Sequence, residues 1–359
     1  MTTPFLAAQP LDLNTARHQI DTVLDDFLTA KTRTAAARGL PEEVPQALRD
    51  FLHAGGKRLR PLLCVVGWHA AGGTGDIAPA IRAAAALELF HAFALIHDDV
   101  MDHSATRRGA PTVHRALAGR HPETGGHNTA WLGVCGAVLV GDVALAWSDE
   151  LLHSAHPPRR HAALRHVIDQ MREEVVYGQY LDLLSPLRPA EDLDAALKVI
   201  RYKTAKYTVE RPLHTGAALA GAGSALRADL SRFALPLGEA FQLRDDLLGT
   251  FGDPARTGKP VLDDLREGKH TVLLALATRC ATTTQHALLH TMVGDPALDE
   301  SGAARICEVL EATGARATVE TMIATRYEQA LAALENTPYP PAVTLALRRI
   351  AALATERAS

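Results

Sequence analysis

Aromatic residues make up only 5% of this 359-residue chain, against 47% hydrophobic residues dominated by alanine and leucine. That imbalance favours close-packed helices over sheets, and strict period-two alternation is scarce as well. The four cysteines, Cys64, Cys135, Cys280 and Cys307, lie far apart with no CxxC spacing. That spacing fits reduced, buried thiols in a cytoplasmic protein better than a disulfide frame or a zinc site. No run of about 18 apolar residues escapes a charge, so no membrane span or stable membrane insertion is expected. The first residues, "MTTPFLAAQPLDLNTARHQI", lack the basic start and apolar core of a signal peptide. A net charge of −4 gives no reason to expect nucleic acid or an acidic membrane as partner. The GxxxxGK[ST] phosphate loop is missing, and no Ser, Cys or His nucleophile stands in a triad pattern.

What is present is helical periodicity nearly everywhere, which predicts an all-α protein. Breakers divide it at "RGLPEE", "GGTGDIAP", "GRHPETGGHN", "AHPPRR", "SPLRPAED", "GAGSA", "VGDPALDESG" and "NTPYPP". None is long enough to separate domains, so residues 1–359 read as one domain, with 1–10 loose at the start. One polar segment stands apart, "GDPARTGKPVLDDLREGKHT" at 252–271, and resembles a lid-type loop carrying Lys259 and Lys269.

The chemistry begins at "HDDVMD", residues 97–102, which ends a long apolar run. On a helix Asp98 and Asp102 stand one turn apart on one face, with Asp99 beside them. Two unit charges ~6 Å apart at an effective dielectric of ~20 repel by roughly 3 kcal/mol, so the group protonates, splays into water or holds a cation. A second pair, Asp245 and Asp246 in "FQLRDDLLGTFGD", shares a helix face with Gln242. One acidic pair is ordinarily a solvated face. Two of them, each flanked by apolar helix, point to Mg²⁺, which prefers few carboxylates, several waters and phosphate oxygens. Cations for phosphate are at hand: Lys57, Arg58 and Arg60 in "GGKRLRP", Arg107 and Arg108 in "ATRRGAPT", and Lys203 beside Thr204 in "RYKTAKY". Together they suffice for two diphosphates.

From Arg49 to Thr271 the ordered set "GGKRLRP", "HAFALIHDDVMDHSATRRG", "YGQYLDL", "KTA", "FQLRDDLLGTFGD" and "GKPVLDDLREGKHT" resembles the trans-isoprenyl diphosphate synthases of the polyprenyl synthetase family. The resemblance implies a single bundle of antiparallel helices around a central apolar cavity, a homodimer, and three Mg²⁺ ions per site. It places Asp98, Asp99 and Asp102 as metal ligands on one wall and Asp245 with Asp246 on the other. Lys57, Arg60, His91 and Arg108 then match the positions that hold isopentenyl diphosphate. Arg107, Lys203, Gln242, Lys259 and Lys269 match those around the allylic diphosphate, with Thr204 beside the developing cation. Among these, Asp98, Asp99, Asp102, Lys203, Thr204 and Asp245 carry the catalytic roles. One departure is visible, because Gly249 stands where the second DDxxD motif ends in Asp, and Asp253 lies too far on to replace it.

The implied reaction is ionisation of an allylic diphosphate with Mg²⁺ neutralising the leaving group, attack by the double bond of isopentenyl diphosphate, and loss of a proton. Water must be excluded, since it would quench the cation. A class I terpene cyclase would share the acidic motif but has no use for Lys57, Arg60 and Arg108. A non-catalytic partner subunit could lose its acidic ligands, and here both pairs are intact. Chain length is read from Phe90, Phe93 and Ala94: an aromatic five before Asp98, with small Ala94 following, resembles geranylgeranyl (C20) synthases. Farnesyl (C15) and C25 or longer products are the alternatives.

Overall fold

The computed structural model describes residues 11–121, 126–154, 161–252, 265–335 and 337–355. The expected loose start at 1–10, Lys259 and Asp253 lie outside the described residues. The chain is all-α, and its helices break where the sequence breakers stand: α1 Leu13–Ala37, α2 Glu43–His53, α3 Leu59–Ala70, α4 Ala78–Met101, α5 Val113–Arg120, α6 Gly126–His153 and α7 His161–Leu183. After a 3₁₀ turn at Ser185–Leu187 come α8 Leu193–Val199, a π-helix at Ile200–Glu210, α9 Arg211–Ala220 and α10 Ser224–Phe251. The chain continues with α11 Val272–Cys280, α12 Thr283–Met292, α13 Glu300–Ala312, α14 Ala315–Ala332 and α15 Pro341–Thr355. The described strands form one two-residue hairpin, β1 Thr106–Arg107 with β2 Ala110–Pro111. Its two turn residues, Arg108 (φ 54°) and Gly109 (φ 77°), both adopt the left-handed backbone that a tight two-residue hairpin requires.

These helices pack as two compact units, Asp12–Val65 with Thr74–His161, and Val66–Gly73 with the described part of Ala162–Ser359. In the first, α4 is the core helix: Ala83 to Ala86, Leu89, Phe90, Ala92 and Ile96 are all essentially inaccessible. Its small residues let α6 lie close, and Ser148 of α6 donates to the Ala86 carbonyl at 2.8 Å. α4 and α6 are both long and apolar enough to cross a membrane, contrary to the expectation from uninterrupted runs, because isolated charges such as Asp142 fall inside a stretch whose mean hydropathy stays high. The two differ in burial, at 67% for the window in Ala78–Met101 and 28% for that in Asn128–His153. α6 therefore leaves Trp131, Leu132, Val138 and Leu139 exposed.

In the second unit the π-helix and α10 form the centre, with α14 against α10. Arg244 of α10 makes a bidentate pair with Glu320 of α14, both bonds at 2.7 Å. A buried polar network ties the π-helix end to its neighbours: Glu174 of α7 accepts from Lys206 at 2.6 Å and from Arg211 at 2.7 Å twice. His214 joins it as a neutral ring, Nε2–H donating to the Arg227 carbonyl at 2.8 Å and Nδ1 accepting from Arg211 at 3.2 Å. Burial pushes its pKa down to about 4. The native state thus declines a proton that the unfolded chain accepts near pH 6.5, so stability is complete above that pH and falls as pH drops towards 4. The loss amounts to about 3 kcal/mol at full extent. Urea unfolding from pH 7 to 4.5 checks this: His214→Gln should flatten the decline, and an unchanged slope would contradict it.

Candidate active site

In the first unit the acidic motif is built as the sequence implies. Asp98 lies in the last turn of α4, and the Asp102 N–H donates to the Asp98 carbonyl at 2.8 Å, so helical geometry carries through and both carboxylates share a face. Asp99 points elsewhere. It is 1% exposed, and both its oxygens accept from Arg107 Nε at 2.8 Å, with Arg107 Nη2 at 2.7 Å from Oδ1. Arg107 Nη2 also stands 3.7 Å from Asp98. Burial alone would lower the Arg107 pKa, but Asp99, Asp98 and Asp102 outweigh it and raise it. The like-charge cluster is thus partly neutralised by a cation from the hairpin five residues on.

The basic residues gather around the Gly55-Gly56 turn. Arg108 donates to the Gly55 carbonyl, and a Cβ at Gly56 (φ 143°) would stand 3.1 Å from the Arg108 guanidinium. Glycine there therefore lets the "GGKR" turn meet the "TRRG" hairpin. Lys57 is exposed on this turn. Arg60 Nη1 donates to His91 Nε2 at 3.0 Å. His91 is held well below the usual imidazole pKa by burial and by Arg60, Arg108, Arg107 and Arg58, so it accepts as a neutral base. Arg58, counted with the phosphate cations from sequence, is instead a structural residue. It is 8% exposed, with Nε on Asp21 at 2.9 Å, Nη1 on Glu88 at 2.8 Å and Nη2 on the Leu52 carbonyl at 2.9 Å. Nothing in the short motif announced this, since Asp21 and Glu88 lie on other helices.

The second unit repeats the logic of the first. Asp245 is half-buried, whereas Asp246 is 6% exposed and accepts from Gln242 Nε2 at 2.8 Å. Gln242 Oε1 in turn accepts from Thr204 Oγ1 at 2.7 Å. Lys203 donates to Asp182 at 2.6 Å, a partner inside "YGQYLDL" to which the sequence pattern by itself gives no role. Lys269 is half-buried next to His270, which donates to the Ala190 carbonyl at 2.6 Å. Gly249 is half-buried on α10, one turn after Asp245. In each pair, then, the first Asp is half-buried and the second is buried on an organising side chain.

The donors suit Mg²⁺. They are carboxylates, hard oxygen ligands, and among the described residues no three His, Cys, Asp or Glu side chains converge to hold an ion alone. A small cation that keeps waters and takes phosphate oxygens needs no closed protein cage.

A family model described as polyprenyl synthetase matches residues 41–310. The chain belongs to the polyprenyl synthetase family. Its sequence is 35% identical over 248 residues to a geranylfarnesyl diphosphate synthase of Aeropyrum pernix, covering 67% of this chain and 72% of that protein. It is likewise 35% identical over 264 residues to a (2E,6E)-farnesyl diphosphate synthase of Mycobacterium tuberculosis, covering 73% and 68%. The crystal structure of a geranylgeranyl pyrophosphate synthase from Corynebacterium glutamicum, complexed with isoprenyl diphosphate and magnesium, is similar at TM-score 0.92 and 41% identity, covering 97% of this chain and 100% of that one. As a member of this family the chain is a trans-prenyltransferase acting on isoprenyl diphosphates.

Proposed function

We propose that this prenyltransferase condenses isopentenyl diphosphate with dimethylallyl, geranyl and farnesyl diphosphates to give all-trans geranylgeranyl diphosphate. The relatives' names span farnesyl, geranylgeranyl and geranylfarnesyl products, so the length rests on Phe93. Its ring is held on both sides, 5.3 Å from Phe90 and 4.8 Å edge-on from His97. Phe90 is 1% exposed and cannot swing away, and His97 donates to the Val138 carbonyl at 3.0 Å. A ring so fixed, just over one turn before Asp98, is a rigid stop for a growing chain, because each helical turn spans ~5.4 Å, close to one isoprene unit. Ala94 beside it is too small to stop the chain earlier.

In this reading Asp98, Asp102 and Asp245 are the Mg²⁺ ligands, and the ions supply charge neutralisation to the leaving diphosphate. Asp99 holds Arg107 and Asp246 holds Gln242, so each serves by aiming a neighbour. Lys57, Arg60 and Arg108 bind isopentenyl diphosphate, with neutral His91 aligning Arg60. Lys203, Arg107, Gln242 and Lys269 attend the allylic diphosphate, and Thr204 stands by the cation. The exposed apolar face of α6, at Trp131, Leu132, Val138 and Leu139, supports a homodimer, and the reduced thiols fit a cytoplasmic setting.

Product sizing after incubation with Mg²⁺, isopentenyl diphosphate and dimethylallyl diphosphate tests the length. The wild type should stop at C20, and Phe93→Ala should shift products to C25 or longer. Wild-type product of C15 alone refutes the assignment. An unchanged distribution from folded Phe93→Ala means the floor is another residue.

A further inference from the structure

We infer that Gly178 and Gly238 are positioning residues of the prenyl-transfer site: they grip the π-wound backbone on either side of Thr204 and thereby set where Lys203 and Thr204 present their side chains. The inference rests on the prenyltransferase reading and adds to it two residues that touch no substrate.

The π-helix is the starting observation. It runs for 11 residues, "IRYKTAKYTVE", and ends with the Arg211 N–H on the Lys206 carbonyl, five residues back. π-Winding is rare, mostly confined to single turns, and concentrated at functional sites. The segment contains neither glycine nor proline, and it is flanked by ordinary α-helix at Leu193–Val199 and Arg211–Ala220. Nothing local demands the altered winding, so its cause lies in the neighbours.

Two neighbours come unusually close, each at a glycine. A Cβ built on Gly178 of α7 would lie 2.4 Å from the Lys203 nitrogen and 2.7 Å from its Cα. A Cβ on Gly238 of α10 would lie 2.5 Å from the Ala205 Cα and 2.8 Å from its Cβ. Both distances are shorter than real Cβ contacts, and both partners are backbone, which cannot swing aside. α7 and α10 thus pinch the π-helix at Lys203 and at Ala205, with Thr204 between.

Each pinch sits one turn ahead of a side chain that receives a hydrogen bond from the pinched segment. Gly178 precedes Asp182 by four residues, and Asp182 accepts from Lys203 at 2.6 Å. Gly238 precedes Gln242 by four, and Gln242 accepts from Thr204 at 2.7 Å before passing its own N–H to Asp246 at 2.8 Å. Residues four apart share a helix face, so the close approach at each glycine and the bond one turn on belong to one contact. Close approach at the glycine is what brings short side chains such as Thr204 within reach.

Gly178→Ala and Gly238→Ala test the inference, with Gly223→Ala as control because a Cβ there meets nothing within 4 Å. A displacement of about 1 Å at a reacting centre can cost about 10²-fold in rate. Gly238→Ala should therefore lower kcat by about that factor, through the Thr204–Gln242–Asp246 chain. Gly178→Ala should raise KM for the allylic diphosphate, through Lys203. Neither should change KM for isopentenyl diphosphate, and Gly223→Ala should match the wild type. Folding is followed by circular dichroism. If an alanine variant does not fold, Gly238→Ala combined with Ala205→Gly removes the 2.8 Å contact and carries the test. A kinetic defect in that folded pair supports the role, and wild-type kinetics overturn it. Wild-type kinetics in folded Gly178→Ala and Gly238→Ala, or equal rises in KM for both substrates, likewise overturn it. A wild-type protein that does not condense the two substrates refutes the prenyltransferase reading itself, a separate result.

Discussion

Asp98→Ala should lower turnover by at least ~10³-fold while the protein stays folded. The first half of that expectation follows from the loss of a metal ligand to a reaction whose barrier is bond ionisation, where several kcal/mol of charge stabilisation are at stake. The second half follows from the local electrostatics. Asp98 is one of three carboxylates, and its removal relieves repulsion while Arg107 keeps its bonds to Asp99 at 2.8 Å. Steady-state kinetics at saturating Mg²⁺ and thermal melting read the two halves separately. A variant retaining a tenth of the activity would remove Asp98 from the metal site.

Asp99→Ala should behave in the opposite way on stability, although it alters the adjacent residue. Asp99 is 1% exposed and pairs with Arg107, whose side chain is itself only 18% exposed. Deleting one member of such a pair strands the other, at a cost of roughly 3 kcal/mol or more. Activity should fall too, since Arg107 loses the bidentate contact that aims it. Combining Asp99→Ala with Arg107→Leu should recover most of the stability, because no buried charge is left, but not the activity. If Asp99→Ala melts with the wild type, the Arg107 pair is not what holds this carboxylate.

The contrast between these neighbours marks where sequence reading stops. Helix limits were legible because Gly and Pro breakers act on their own few residues, and α4 through Asp102 follows the 3.6 period that the apolar run sets. The basic and acidic clusters were legible because their members lie close together in the chain. Which member of each Asp pair is buried was not, since it depends on which carboxylate faces Arg107 across the hairpin turn or Gln242 along α10. Arg58 misled for the same reason: its partners Asp21 and Glu88 stand 37 and 30 residues away. The π-helix left no trace in its own sequence, because the two glycines that pinch it belong to α7 and α10. α6 hid its span-like character behind Asp142, and only burial separates its exposed apolar face from the core helix α4.

Under the proposed function the first residue of each Asp pair binds metal and the second aims a neighbouring side chain. The most direct test is a crystal structure of the protein with Mn²⁺ and inorganic diphosphate, the ions located by anomalous scattering. Manganese should be ligated by Asp98, Asp102 and Asp245, with Arg107 still on Asp99 and Gln242 still on Asp246. Manganese bound directly to Asp99 or Asp246, with Arg107 or Gln242 displaced, would contradict it.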